Sequence, residues 1–188
     1  MEKHMSKVEI LIRQFKLSNL DELYKVLSDL EVMQYIEPPY SLEQTRTFLI
    51  DAWLCYTPLI FAAEKDGQFI GYVIFHEYDI DSYELGWVLA KKYWGKGYAS
   101  IITKNMITKA AEMKKDLIIE CVFEQEKTKH LALSNGFTYT GNFNNLDVLD
   151  WRHRDKFKFN CSIANAIDHK FVGVILVENR ATLFVQEL

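Results

Sequence analysis

The feature that most constrains the fold is a glycine-rich turn between a predicted strand and a predicted helix. Its sequence is YWGKGYAS, Tyr93–Ser100, in which Gly95 and Gly97 stand on either side of one lysine. The strand before it reads YELGWVL, and an amphipathic pattern over Ala99–Met113 follows it. Because the next segment, LIIECV, is again rich in β-branched residues, the order predicts two parallel neighbouring strands joined by a crossover helix.

Antiparallel hairpins are predicted on both sides of this crossover. Asp66-Gly67 lies between two apolar runs, which is a strong signal for a two-residue hairpin turn. Ser41 and Gln44 have the spacing of a capping box and predict the start of a helix. In chain order the predicted elements are strand Val8–Phe15, a helix capped by Ser18, a helix from Ser41, strands Leu59–Glu64, Phe69–His76 and Tyr83–Leu89, helix Ala99–Met113, strand Leu117–Val122, helix Thr128–Asn135, and strands Phe137–Phe143 and Leu146–Trp151. This order predicts an α/β (α+β) fold with one central mixed sheet, mostly antiparallel and flanked by helices.

The last part of the chain does not fit this pattern. Within Ser162–Leu188, the segments FVGVILVE and ATLFVQEL are separated by Asn179-Arg180 and predict an extra hairpin. On its own this hairpin would expose an apolar face and an unpaired edge. We therefore expect one domain over residues 1–160 and a C-terminal hairpin extension over residues 161–188, packed on the domain or on the second subunit of a homodimer.

Charge and cysteine content narrow the classes of function. The 22 basic and 26 acidic residues give a net charge of −4, whereas a general nucleic-acid-binding protein is expected to be basic. The three cysteines are widely spaced and match neither a disulfide framework nor a metal motif, so we expect no metal. The N-terminus is too polar for a signal peptide, and no apolar run reaches the ~20 residues that cross a membrane. We expect a cytoplasmic protein without a nucleic-acid or membrane partner.

The glycine-rich turn is a candidate anion site. The first amide groups of a helix have no carbonyl partner, and the helix dipole adds about half a positive charge there. A phosphate group can approach such a turn because glycines carry no side chain. The candidate ligands are the amides of Gly95, Lys96, Gly97, Tyr98, Ala99 and Ser100. An ordinary turn is the alternative, because neither the P-loop pattern nor the dinucleotide pattern is complete.

Three motifs resemble those of one enzyme superfamily. The segment ELGWVLAKKYWGKGYAS is similar to the acyl-CoA signature of the GNAT superfamily of N-acetyltransferases, and especially to its ribosomal-protein-alanine acetyltransferase branch. SDLEVMQY, Ser28–Tyr35, resembles an early motif of that branch, and Gln125, Thr128 and Gly136-Phe137 resemble a later one. The resemblance spans about Val8–Phe143. It implies the GNAT fold, in which two parallel strands splay apart at a bulge.

The resemblance implies acetyl-CoA as a cosubstrate. Its pyrophosphate would bind the amides of the glycine-rich turn, and Gln125 and Thr128 would add contacts. Its pantetheine arm would run between the splayed strands, where main-chain groups of Val88 and Leu89 would meet the pantetheine amide and the thioester carbonyl. A backbone amide aimed at that carbonyl would stabilise the oxyanion that develops there.

The resemblance also implies a general base and an acceptor pocket. Glu84 stands where the family carries a glutamate that faces the acceptor, so it is the predicted base for the amine proton. Alternation along the strand places Glu84, Gly86 and Val88 on one face, and Gly86 would leave space for the acceptor. The residues expected to line the pocket are Tyr35, Glu37 and Tyr40 of the YIEPPY segment. The alternative for Glu84 is a solvated position on the strand. The alternative for the YIEPPY segment is a proline-fixed loop with aromatic packing.

These features lead to a prediction of function. They predict an N-acetyltransferase that moves an acetyl group to a primary amine by direct attack in a ternary complex, because no nucleophile with a partnered base is evident. The predicted acceptor is a protein N-terminus or a small-molecule amine. The alternative is a non-catalytic CoA-binding sensor or interaction module. His76 and His130 are not expected to take part in chemistry, and WRHRDK around His153 is predicted to be a solvated loop.

Overall fold

A seven-stranded sheet forms the centre of the computed structural model, which describes residues 8–54, 57–143 and 154–159. Its strands follow the spatial order β1-β2-β3-β4-β5-β7-β6. The strands are β1 (Leu11–Arg13), β2 (Ile60–Lys65), β3 (Gln68–Asp79), β4 (Ser82–Leu89), β5 (Asp116–Val122), β6 (Thr138–Phe143) and β7 (Arg154–Phe159). The helices are α1 (Leu20–Leu27), α2 (Leu30–Met33), α3 (Leu42–Leu54), α4 (Tyr98–Met113) and α5 (Glu126–Ser134).

One pair of strands is parallel, and it is the pair that the crossover predicted. The helix α4 connects β4 to β5, and these strands are paired in parallel. The other pairings within the described residues are antiparallel. The predicted mixed, mostly antiparallel sheet flanked by helices is therefore confirmed.

The local sequence signals that predicted turns and helix starts are mostly confirmed. Asp66 and Gly67 have φ values of 50° and 75°, which is the left-handed pair that a two-residue hairpin requires. The amide of Ser41 donates to Gln44 Oε1 at 2.8 Å, and the amide of Gln44 donates to Ser41 Oγ at 3.2 Å, so the capping box forms. The prediction for Ser18 is wrong, because a short 3-10 turn precedes α1 and Asn19 is the residue before the helix.

The strand β7 corrects the prediction for the basic WRHRDK segment. Its last residues are not a solvated loop, because β7 begins at Arg154 and inserts between β5 and β6. Phe157 is only 3% exposed in this strand, so an inward-facing aromatic residue holds the segment in the sheet. The predicted strand Leu146–Trp151 and the predicted hairpin over residues 161–188, with its domain boundary, lie outside the described residues.

Two hydrophobic cores cover the two faces of the sheet. Leu85 and Leu89 of β4 pack with α4 residues such as Ile102. Val88, on the opposite face of the same strand, packs with residues of α1 and α3. Even-numbered residues of β4 therefore face α1 and α3, and odd-numbered residues face α4. Among the described residues, no helix combines the length and the apolar character that a membrane span needs.

Candidate active site

The glycine-rich turn has the backbone conformation that only glycine adopts without strain. Gly95 and Gly97 have φ values of 69° and 77°, in the left-handed region. A Cβ built on either glycine would meet no atom within 4 Å, so the requirement is conformational and not a matter of space. Gly97 is the residue before α4, which begins at Tyr98. The turn therefore directs the chain into the helix and leaves its outer side open.

The amides of this turn are available to a ligand. The first helical hydrogen bond runs from the Ile101 amide to the Gly97 carbonyl at 3.1 Å. In the part of the chain that the structure describes, no amide from Gly95 to Ser100 donates to a backbone carbonyl. These residues are exposed or half-buried. The turn thus presents N–H groups at the positive end of a 16-residue helix, which suits an anion.

Lysines increase the positive potential beside the turn. The ammonium groups of Lys92 and Lys96 lie 4.9 Å and 5.4 Å from the centre of the Tyr93 ring. Lys91 is instead paired with Glu31 of α2. The ammonium groups of Lys92 and Lys96 therefore lie beside the open amides, close to the Tyr93 ring.

A gap opens between β4 and β5 next to this turn. The two strands pair only at Ser82–Asp116, Tyr83–Leu117 and Glu84–Ile118, although both strands continue beyond these pairs. The predicted splay is present. It does not arise at a bulge in β4, because the register of β4 with β3 is unbroken from Tyr83 to Leu89.

The alternation of main-chain groups decides which residues of β4 face the gap. The Ala90 amide donates to Ile70 on the β3 side, and the Asp116 amide of β5 donates to the Asp81 carbonyl. In an antiparallel ladder both main-chain groups of a residue point the same way, and the direction alternates. Trp87 and Leu89 therefore turn their amides to the gap, whereas the main-chain groups of Val88 belong to the ladder with β3. Trp94 Nε1 donates to the Leu89 carbonyl at 2.8 Å.

Three other predicted cofactor residues are Ser100, Gln125 and Thr128, and the side chains of Ser100 and Gln125 are engaged within the protein. The Ser100 hydroxyl donates to Asn135 Oδ1 at 3.1 Å, which ties the start of α4 to the end of α5. Gln125 precedes α5, and its Oε1 accepts from the Val122 amide at 3.1 Å. Thr128 is half-buried in α5. The Gln125 side chain therefore caps the end of β5. Because the Ser100 hydroxyl is already hydrogen-bonded, Ser100 presents its main-chain amide at the open turn.

Glu84 is buried beside a histidine. It is 2% exposed and lies on the face of β4 that turns to α1 and α3. Its Oε2 is 3.0 Å from Nε2 of His76, its direct partner in the register of β3 with β4. The reading of Glu84 as a solvated strand residue is therefore wrong, and its role as base stays a prediction. Sequence reasoning gave His76 no role, although a count across the hairpin register would have placed it opposite Glu84.

Gly86 lies two residues along the same face, and a side chain fills part of the space that it leaves. A Cβ on Gly86 would lie 3.0 Å from the terminal methyl of Ile74. The glycine therefore allows β3 and β4 residues to pack closely on this face. Its predicted role beside the acceptor stays a prediction.

The segment between α2 and α3 brings Glu37 close to two phenols. The Tyr40 hydroxyl donates to Glu37 Oε2. Burial, and then the hydrogen bond and charge of Glu37, raise the pKa of Tyr40 above its usual range. Burial and the same carboxylate also raise the pKa of Tyr72 on β3. Tyr40 and Tyr72 both pack against Phe48 of α3, and Tyr35 is half-buried in the same segment.

A second buried acid lies on this face. Glu120 of β5 is 1% exposed. Because Ile118 pairs with Glu84, alternation along β5 places Glu120 on the same face as Glu84. The strand pattern LIIECV gave the signal, since a charged residue stood inside an apolar run. Within the described ranges, no group of three or more His, Cys, Asp or Glu side chains could hold a metal ion.

Comparison with known proteins shows which family this chain matches and which solved structures share its fold. Residues 9–138 match the family described as the acetyltransferase (GNAT) domain. An uncharacterised N-acetyltransferase, YnaD of Bacillus subtilis strain 168, is 33% identical over 100 residues, which is 52% of this chain and 59% of that protein. The match thus spans less than two thirds of the length of that relative.

Solved structures share the fold. An acetyltransferase of the GNAT family from Bacillus anthracis is 27% identical, with a TM-score of 0.73 over 83% of this chain and 98% of that one. Spermidine N-acetyltransferase from Vibrio cholerae, in complex with CoA and spermine, is 18% identical, with a TM-score of 0.69 over 81% and 96% of the two chains. RimL, a ribosomal L7/L12 alpha-N-protein acetyltransferase in complex with coenzyme A, is 17% identical, with a TM-score of 0.69 over 81% and 94%. At the lower two identities the likeness shows the fold alone.

Proposed function

Because this chain belongs to the GNAT acetyltransferase family, we propose that it transfers an acetyl group from acetyl-CoA to a primary amine. The acceptor attacks the thioester directly while both substrates are bound. The product is an N-acetyl amine, and coenzyme A leaves as a thiol.

The observation that carries this proposal is the gap between β4 and β5 beside the open amides of the glycine-rich turn. Pairing stops at Glu84–Ile118, and β4 ends at Leu89 directly before the turn. The carboxyl ends of parallel strands are where ligands bind in sheets of this kind. One extended ligand with a diphosphate at one end fits both features, because the diphosphate suits the turn and the extended arm suits the unpaired edge of β4.

The chain would hold acetyl-CoA by main-chain groups in two places. The amides of residues 95–100 would bind the diphosphate, and Lys92 and Lys96 would add charge. The Leu89 amide faces the gap and is the proposed donor to the thioester carbonyl, with Trp87 as the next amide along the edge. A donor of this kind, placed where the oxyanion develops, typically contributes roughly 3 kcal/mol to transition-state stabilisation. Gln125 and Thr128 would add contacts at the start of α5.

Glu84 is the proposed general base. An amine is mostly protonated near neutral pH, and its nitrogen attacks only after it has lost a proton. Glu84 lies at the point where β4 and β5 separate, and one of its oxygens, Oε1, is buried without a hydrogen-bond partner among the described residues. A buried acceptor atom without a partner is costly, so a substrate N–H that binds it would be stabilised.

The acceptor is proposed to enter over the face that α1 and α3 cover. Glu37, Tyr40 and Tyr72 lie together there, and Tyr35 and Gly86 complete the proposed lining. The carboxylates of Glu37 and Glu120 would attract a cationic amine. The neighbours named for spermidine and for a ribosomal protein differ in acceptor, and the positive charge of a peptide N-terminus or of a small amine would suit these two carboxylates.

An acetyl-transfer screen tests the function. Isotope-labelled acetyl-CoA is offered with a panel of peptides that have free N-termini and a panel of small amines including polyamines, and products are read by mass. We expect one acceptor class to be acetylated. We expect Glu84→Gln to lower kcat by about 10²- to 10⁴-fold, as is typical for loss of a general base. The matched control is Glu77→Gln, which removes an exposed carboxylate of β3.

The same screen, combined with a measurement of the melting temperature with and without CoA, distinguishes an enzyme from a CoA-binding module. If CoA raises the melting temperature but the unchanged protein acetylates no acceptor in the panel, the chain is a CoA-binding module. If CoA has no effect on melting and no transfer occurs, the proposed function is wrong. Full activity in Glu84→Gln would reject the base assignment alone.

A further inference from the structure

We propose that His76 is a positioning residue for acetyl transfer, which shares a proton with Glu84 and thereby sets how strongly that carboxylate takes a proton from the acceptor amine. The inference rests on the proposed function. Nε2 of His76 lies 3.0 Å from Oε2 of Glu84, and the two side chains are 9% and 2% exposed. Their strands hold them opposite each other, because His76 and Glu84 are direct partners in the register of β3 with β4.

The hydrogen bonds around the imidazole ring define where its protons lie. Nδ1 of His76 is 2.9 Å from the carbonyl oxygen of Glu77. A carbonyl oxygen only accepts, so Nδ1 carries a hydrogen. The contact between Nε2 and Oε2 then needs one further proton between them, because two lone pairs at 3.0 Å would repel. In the proposed resting state the pair therefore shares one proton and has no net charge.

Loss of the shared proton leaves the pair with an open place for one proton. Either Nε2 then faces the carboxylate with a lone pair, or the ring hydrogen moves to Nε2 and Nδ1 faces the Glu77 carbonyl with a lone pair. Both arrangements place two acceptors in contact. Regaining a proton removes this repulsion. The pair therefore accepts one proton at the contact between Nε2 and Oε2, where it restores a hydrogen bond on each side of the ring.

The other oxygen of Glu84 is the one that meets the acceptor. Oε1 is buried and has no hydrogen-bond partner among the described residues. The acceptor ammonium gives one proton to Oε1, and its N–H electrons become the lone pair of the amine. A half-turn of the carboxyl group exchanges its oxygens and brings this proton to Nε2. His76 therefore acts through Glu84 and does not touch the substrate.

The reaction balances with this pair as the base. The amine lone pair forms a bond with the thioester carbon, and the C–S bond breaks with its electrons on sulfur. The second proton leaves the nitrogen and goes to the thiolate, through solvent. One ammonium, one acetyl thioester and one deprotonated pair thus give one N-acetyl amine, one thiol and one protonated pair.

Within the described residues, other ionisable groups also lie on this face. They are Tyr72 on β3, Glu120 on β5, Glu37 and Tyr40 in the segment before α3, and the ion pair of Lys158 with Asp116 at 2.9 Å. Burial and Glu37 hold the pKa values of both phenols above their usual range, so they do not ionise between pH 5 and 9. The buried residues of α1 and α3 are apolar except for Thr45.

The variant His76→Gln distinguishes a proton-sharing role of His76 from a purely structural role in the fold. The Gln Nε2 can donate to Oε2 as the imidazole does, but it cannot gain or lose a proton. We expect kcat/KM for the acceptor to fall on the order of 10-fold, less than the loss typical of removing a base. The acid limb of the pH profile of kcat/KM should move to lower pH, and KM for acetyl-CoA should stay within about twofold. His130→Gln, at an exposed position of α5, is the control.

The outcomes are distinguishable. If His76→Gln keeps the kcat/KM and the pH profile of the unchanged enzyme, His76 only supports the fold and the inference is overturned, while the proposed function stands. If the unchanged protein transfers no acetyl group, both fail. Should His76→Gln not fold, ¹⁵N NMR of the His76 ring decides. Its titration midpoint should move to lower pH in Glu84→Gln, and equal midpoints would overturn the shared proton.

Discussion

The indole nitrogen of Trp94 donates a hydrogen bond to the main-chain carbonyl of Leu89 at 2.8 Å. Leu89 is the last residue of β4, and Trp94 stands directly before Gly95. The bond therefore joins the two halves of the proposed cofactor site, the unpaired edge of β4 and the glycine-rich turn. A cofactor that spans both halves would meet them at one fixed spacing.

Trp94→Phe should weaken CoA binding without unfolding the protein. The ring is kept but the donor is lost, so the Leu89 carbonyl loses its partner and the turn loses one tether. A hydrogen bond of this kind contributes about 1 kcal/mol, which corresponds to a rise of roughly fivefold in the Kd for CoA. Calorimetric titration measures it. Trp53→Phe, at an exposed position of α3, is the control, and equal Kd values for both variants would contradict the tether.

Gly97→Ala should reduce both stability and CoA affinity, whereas Gly67→Ala should reduce stability alone. The two glycines have φ values of 77° and 75°, and a Cβ on either would meet nothing within 4 Å. The strain of a left-handed alanine, about 1 kcal/mol, is therefore similar at both sites. Only Gly97 stands at the open amides. Melting temperature and the Kd for CoA are the measurements, and unchanged CoA binding in Gly97→Ala would reject the turn as the diphosphate site.

Gly71→Ala should destabilise the sheet far more than Gly86→Ala. A Cβ on Gly71 would lie 2.1 Å from the Val88 carbonyl oxygen and 2.8 Å from the Leu89 Cα, which are backbone atoms that cannot yield without moving β4. A Cβ on Gly86 would meet the end of the Ile74 side chain, which can move. We expect a loss of about 3 kcal/mol in the free energy of unfolding for Gly71→Ala. Urea unfolding checks this, and equal midpoints for the two variants would be the contrary result.

Tyr72→Phe should reduce the loss of stability at high pH. Burial first, and the Glu37 charge second, raise the pKa of Tyr72 above the value near 10 of an unfolded tyrosine. Above pH 10 the unfolded chain releases a proton that the folded chain retains, so the free energy of unfolding falls as pH rises. One such phenol contributes up to about 1.4 kcal/mol per pH unit.

The measurement is the free energy of unfolding between pH 9 and 11. The slope should be smaller in Tyr72→Phe than in the unchanged protein. Tyr139→Phe changes a tyrosine that is 46% exposed and should keep the original slope. Equal slopes in all three proteins would show that Tyr72 ionises alike in the folded and unfolded states.

Much of the candidate site follows from short-range sequence signals, but the positions of His76 and Glu120 beside Glu84 do not. The glycine-rich turn, α4 and the parallel strand pair could be predicted, because helix start, glycine conformation and crossover handedness act within one contiguous segment. The bulge expected at the splay is absent from β4, since pairing with β3 continues unbroken. His76 opposite Glu84 and Glu120 on the same face depend on strand register.

The sequence by itself determined the elements whose geometry is decided within a few residues, such as the turn at Asp66-Gly67, the capping box at Ser41 and the left-handed glycines before α4. Only the tertiary structure decided where pairing between β4 and β5 stops, that β7 lies between β5 and β6, and that a half-buried histidine meets Glu84. The physical reason is that register between strands is set by burial of whole faces and by closure of long loops, and neither is encoded in any one short segment.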